Sequence, residues 1–84
     1  MKNTELDKIK ETLHNNFKLN CDEEFLIEVD YIDNIELLNI SFFWGRINSI
    51  YWKNQRTFGF NKNDYNKMLE FEIKPFILKH QKKQ

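Results

Sequence analysis

The sequence predicts an α+β fold: an antiparallel sheet of three or four strands with an N-terminal helix and a long C-terminal helix, in the order α-β-β-β(-β)-α. Three observations predict it. Apolar residues recur at helical spacing near both ends of the chain and alternate in the middle. The links between the alternating runs are too short for crossovers, which makes neighbouring strands antiparallel. A length of 84 residues supplies one hydrophobic core, so residues 1–84 form one domain.

Residues 4–17 read as the first helix. Thr4 is placed to cap it, with Asp7 three positions on and Glu5 in the first turn. Leu6, Ile9, Leu13 and Phe17 share one stripe, and Asn15-Asn16 reads as a stop. The period then changes. Over residues 24–32, Phe25, Ile27, Val29 and Tyr31 alternate with Leu26, Glu28 and Asp30, the pattern of a half-buried strand. Asp33-Asn34 signals a turn. Residues 35–44 read as the second strand, with Leu38, Ile40, Phe42 and Trp44 on one face and Leu37, Asn39, Ser41 and Phe43 on the other. The two strands form a hairpin, and Gly45 marks a bend.

Residues 47–53 read as a third strand and Thr57–Phe60 as a short fourth; one long bent strand over 47–60 fits equally. Residues 62–80 read as helix, capped by Asn63 or Asp64, with Tyr65, Met68, Leu69, Ile73, Phe76 and His80 along one face. Pro75 lies inside this pattern. It removes one hydrogen bond, and its ring meets the carbonyl of Phe71, so a kink or a break is expected there. Residues 79–84 form a basic tail expected to fray. Phe25, Phe42, Trp44, Trp52 and Phe76 are expected in the core.

Composition narrows the functional classes. Apolar residues make up 40% and aromatics 15%, too many for a disordered chain. No apolar run is long enough to cross a membrane. Met1-Lys2-Asn3-Thr4-Glu5 leads into a charged amphipathic pattern without an apolar leader, so a cytoplasmic protein is expected. One cysteine, Cys21, excludes an internal disulfide and a cysteine metal cluster. There is no alanine, and Asn, Lys and Ile together supply 31 residues. That bias points to an AT-rich coding sequence, of a bacterium or of a phage or plasmid within one. It also deprives the helices of their best former, so they lean on tertiary packing.

Catalytic constellations are missing, and a non-enzymatic protein without metal or cofactor is expected. His14 and His80 are the only imidazoles, each near the carbonyl end of a helix, where a cation is favoured. Cys21 precedes Asp22-Glu23-Glu24, which disfavour its thiolate. The acids of residues 22–36 match no calcium-loop spacing, and two glycines cannot make a phosphate loop. A small ribonuclease-type toxin needs only a few Arg, Lys and Tyr residues, but such toxins are strongly basic.

The formal net charge is zero, from 13 basic and 13 acidic residues, yet the two signs are separated. Residues 1–39 carry a net −6 and residues 40–84 a net +6. Asp22 to Glu36 holds seven acids and no base, while Arg46 to Lys62 holds four bases and no acid. Either the two runs neutralise each other across neighbouring strands, or they face partners. On the second view the acidic hairpin, with Glu23, Glu24, Glu28, Asp30, Asp33 and Glu36, docks into a basic cleft of another protein. The leading expectation is an inhibitor of a host nucleic-acid-handling complex, such as a CRISPR or other defence nuclease.

The alternative is single-stranded RNA or DNA binding by the second hairpin, through Arg46, Tyr51, Lys53, Arg56, Phe58 and Lys62, which interleave cations with rings. Arg56-Thr57-Phe58-Gly59-Phe60 partly resembles the RNP1 element of RNA-recognition motifs and the aromatic-Gly-aromatic element of cold-shock domains. The resemblance covers five residues; Thr57 replaces the first glycine, Asn61 replaces the following aliphatic residue, and the element order differs. It implies that the rings of Phe58 and Phe60 stack on bases. A last feature is a second stripe on the C-terminal helix. Phe71, Lys74 and Leu78 lie opposite its apolar face and predict a partner or homodimer surface.

Overall fold

The computed structural model describes residues 2–80. Helix α1 spans Asn3–Asn20 and is followed by strands β1 (Phe25–Ile32), β2 (Leu37–Arg46) and β3 (Trp52–Asn61). The chain ends in consecutive helical pieces: α2 (Tyr65–Met68), a π-helical turn (Leu69–Ile73) and α3 (Lys74–Leu78). The sheet has the order β1-β2-β3, antiparallel throughout. This is the expected α+β arrangement with three strands.

Helix α1 is longer at both ends than its sequence suggests. Lys2 stands at the N-cap and makes no side-chain capping bond, so Thr4 lies inside the first turn. The asparagines do not stop the helix. Asn16 and Asn20 donate their amides to the carbonyls four residues back, at 2.9 and 2.8 Å, which satisfies groups that would otherwise compete with the backbone. The Cys21 amide closes the end on the Phe17 carbonyl.

Register sorts the strand residues into two faces. Ile27 lies opposite Phe42, Val29 opposite Ile40 and Tyr31 opposite Leu38; on the other side of β2, Ile40 meets Phe58 and Leu38 meets Phe60. All point toward the helices. Leu13 and Phe17 of α1, with Ile73 and Ile77 from the C-terminal helix, complete the core. Phe17 is its hub, 0% exposed, with rings of Phe25, Phe42, Trp44, Phe76 and His80 at 4.8–6.3 Å between centroids. Trp52, expected in the core, instead packs against Arg46, whose guanidinium carbon is 5.6 Å from its ring centre, outside the core cluster.

The expected strand over 47–53 is largely a loop, and no fourth strand exists among the described residues. Asn48 explains it. Its side-chain oxygen accepts from the amides of Ile50 and Tyr51, at 2.8 and 3.0 Å, and the Ile47 amide donates to the Tyr51 carbonyl. This side-chain turn overrides the strand preference of Ile47, Ile50 and Tyr51. Gly45 precedes it at φ +72°, a conformation that disfavours side chains. Residues 57–60 are then the second half of β3.

The C-terminal helix also departs from expectation. A 3-10 turn over Lys62–Asp64 leads into it, capped by Asn61, whose side chain accepts from the Asn63 amide at 2.9 Å; Asp64, one of the two expected caps, stands at the N-cap of α2 but makes no side-chain capping bond. Pro75 does not break the helix. The Lys74 amide reaches back five residues to the Leu69 carbonyl, and Pro75 falls in the first turn of α3, where a missing N–H costs little. The wide turn delays the helical phase and brings Ile77, absent from the expected face, into the core at 4% exposure. Lys79 and His80 still donate to helix carbonyls; residues 81–84 of the expected tail lie outside the described residues.

Candidate protein interface on the open face of the sheet

Both helical segments pack on one face of the sheet, and no described element covers the other. Alternation assigns the open face. It carries Leu26, Glu28, Asp30 and Ile32 from β1, Leu37, Asn39, Ser41 and Phe43 from β2, and Lys53, Gln55, Thr57 and Gly59 from β3. The cross-strand pairs give it a pattern. Leu26–Phe43 and Ile32–Leu37 are apolar pairs toward its two ends, while Glu28–Ser41 and Asp30–Asn39 lie between them. Ser41 and Thr57 share a hydrogen bond of 3.0 Å. A β-carbon on Gly59 would stand 2.8 Å from Asn39 Oδ1, so the glycine lets that amide lie across β3.

Strand order settles how the two charge runs meet. β2 separates β1 from β3, so the acids of β1 and the bases of β3 are not cross-strand neighbours. Pairing occurs at the sheet ends instead. Glu24 accepts from Arg46 at 2.7 Å, and Glu36 stands 3.5 Å from Lys62. Both pairs are exposed to solvent, which screens them, and contribute little to stability. Lys62 also lies over the Tyr31 ring. The Tyr31 and Glu36 charges hold its ammonium above the ordinary lysine value. Glu28 and Asp30 make no ion pair among the described residues. They are exposed and adjacent on one face of an edge strand. Glu23 precedes β1 and Asp33 lies in the turn between β1 and β2, so neither joins that row.

The six residues of the basic hairpin are dispersed. Arg46 and Lys62 are engaged by acids. Tyr51 is in the loop, Lys53 is on the open face, and Arg56 is on the helix side of β3. Phe58 is 5% exposed and Phe60 is buried as well, so their rings serve the core rather than a stacking platform. The resemblance to RNP1 therefore does not extend to ring placement. On the C-terminal helix, Phe71 is 72% and Leu78 56% exposed, and Lys74 is held by Glu70 at 2.5 Å.

His14, Cys21 and Glu23 line one shallow cavity of about 400 Å³ with Lys18 and Phe25. His14 rests on the Phe25 ring, centroids 4.9 Å apart. The Cys21 thiol donates to the Glu23 carbonyl at 3.7 Å. Burial pushes that thiol above its usual 9.0; the backbone hydrogen bond acts the other way, and Glu23 and Asp22 add to the rise. A thiol so placed is a poor nucleophile. Among the described residues no group of three or more His, Cys, Asp or Glu side chains could hold a metal ion, and no helix is long and apolar enough to cross a membrane.

His80 packs against the core, with ring centroids 4.6 Å from Trp44 and 4.7 Å from Phe76. Burial lowers its pKa from the ordinary 6.5, partly offset by Glu23. Because the folded chain binds this proton less readily than the unfolded chain, the contribution is fully present above 6.5 and is lost as pH falls below it. The thermal midpoint is expected to drop between about pH 7.5 and 5.5, and less so in His80→Gln. Equal slopes in the two proteins, measured by circular dichroism, would contradict this.

Fold and surface together define a class: a small α+β domain that backs a three-stranded sheet with helices and leaves a charged sheet face open. Comparison with protein-family models, curated proteins and solved structures finds no match for the chain.

Proposed function

We propose that this is a non-enzymatic interaction protein that docks the acidic row of β1 against a basic surface of another protein. The observation that carries the reading is the position of Glu28 and Asp30: adjacent, exposed, without an ion pair among the described residues, and set between two apolar cross-strand pairs on the open face. Other acids of the run, Glu24 and Glu36, already have partners in the fold. Carboxylates in a row repel a phosphate backbone and attract the lysines and arginines that bind one. Leu26–Phe43 and Ile32–Leu37 supply apolar contact on either side. A rigid edge strand keeps the acids in register at little entropic cost.

The finer form of the proposal names the partner as a host nucleic-acid-handling complex, such as a CRISPR or other defence nuclease, whose phosphate-binding cleft the acidic row would occupy. The protein would then be a phage- or plasmid-encoded inhibitor acting in the cytoplasm. The size of the domain and its compositional bias support that origin.

The test is capture of partners from a native-host extract by the tagged protein and by the Glu28→Lys/Asp30→Lys double variant. Loss of capture is expected, with thermal unfolding within a few degrees of the wild type, since both sites are exposed. Capture should also weaken as salt rises. Undiminished capture by the double variant would move the interface elsewhere.

A further inference from the structure

The cleft between β3 and the C-terminal helix lies on the opposite side of the sheet from the acidic row and has no part in the proposal above. It has a volume of about 430 Å³, within the range of small-molecule sites. Three kinds of group converge on it. Trp44, Phe58 and Phe76 form an aromatic wall, with the Trp44–Phe76 and Phe58–Phe76 centroids each 5.5 Å apart. Two cations stand at it: Arg56, stacked 4.8 Å over the Phe58 ring, and Lys79. Neither makes an ion pair among the described residues. The helix adds Phe71, whose ring is largely in solvent, and the carboxylate of Glu72.

We infer that this cleft binds a nucleotide, either free or at the end of a single strand. Trp44, Phe76 and the Phe71 ring suit the flat base, because every base offers a π-face, while Phe58 lies buried behind them under Arg56. Arg56 and Lys79 suit the phosphate, and the Arg56 guanidinium can donate to two of its oxygens. Glu72 suits a donor, which a nucleotide offers in its base N–H or ribose hydroxyls, away from the phosphate that the cations hold. Two cations against one carboxylate leave the cleft positive, so an anion is favoured over an uncharged ring. Phe71 also acquires a role, since nothing in the core holds it.

Trp44 makes the inference measurable. The chain has two tryptophans, and a Trp52→Phe background leaves Trp44 as the only indole. UMP, AMP, uridine, inorganic phosphate and a short oligouridine are each titrated against its fluorescence. Saturable quenching by UMP or AMP is expected, with binding at least about tenfold weaker for uridine, for Arg56→Ala and for Phe71→Ala. Both substituted residues are exposed, and circular dichroism verifies that the variants stay folded. An oligouridine that binds tighter than UMP, with a steep salt dependence, assigns the site to a strand end; equal affinities assign it to free nucleotides. No saturable signal at millimolar UMP and AMP overturns the inference. So does inorganic phosphate that competes as well as UMP, or an Arg56→Ala variant that binds as the wild type does.

Discussion

Replacing Phe17 by alanine is expected to cost about 3–5 kcal/mol, the usual penalty for emptying a fully buried aromatic site. A domain of this length has roughly 4–13 kcal/mol in total, so the loss is roughly a quarter of its stability or more. The reason is where the ring stands. It belongs to α1 yet touches aromatic groups from β1, β2 and the C-terminal helix. No neighbour can move in to fill the void without abandoning a ring contact of its own. Urea unfolding followed by circular dichroism measures the effect. A shift below about 1 kcal/mol would mean that the helices dock on the sheet in some other way.

A second large effect separates two adjacent residues. Ile77→Ala is expected to cost about 2–5 kcal/mol, while Leu78→Ala stays within about 0.5 kcal/mol of the wild type. Ile77 is 4% exposed and Leu78 faces solvent. The contrast depends on the π-helical turn, because an uninterrupted α-helix carries Ile77 off the buried face defined by Tyr65, Met68, Leu69, Ile73 and Phe76. Equal and small effects in the two variants would remove the wide turn at Leu69–Ile73.

Much of the architecture is legible in residue patterns. Leu6, Ile9, Leu13 and Phe17 mark α1, and the alternation of Phe25 to Tyr31 with Leu38 to Trp44 gives the first hairpin and its faces. These patterns are dense and repeat over several turns or residue pairs. What escapes them depends on single groups. One asparagine oxygen turns Ile47–Tyr51 into a loop, although its apolar residues favour a strand. The helix phase slips by one residue ahead of Pro75, which a fixed 3.6-residue period cannot register.

The proposed interface is legible to the same degree. Glu28 and Asp30 stand out as acids alternating with apolar residues, and the structure places them on one face. Which other acids are engaged follows only from β2 lying in the middle of the sheet, which brings Glu24 to Arg46 and Glu36 to Lys62. The cleft was not legible at all. Trp44, Arg56, Phe71 and Lys79 come from separate parts of the chain, and no spacing links them. By spacing alone Phe71 reads as part of a partner or homodimer surface, and Arg56 as part of the basic hairpin.

The central, uncharged part of β2 has one more consequence. It holds the acids of β1 and the bases of β3 two strand spacings apart, roughly 10 Å. A molecule with no net charge therefore carries an electric dipole across its sheet. A neutral protein is neither drawn in nor repelled by a distant charged surface, but a dipole is turned by one. As this domain comes within a screening length, about 8 Å at physiological salt, a basic surface rotates β1 toward itself and β3 away. Salt would then act on the orientation of the encounter, and so on the fraction of collisions that dock, more than on their number.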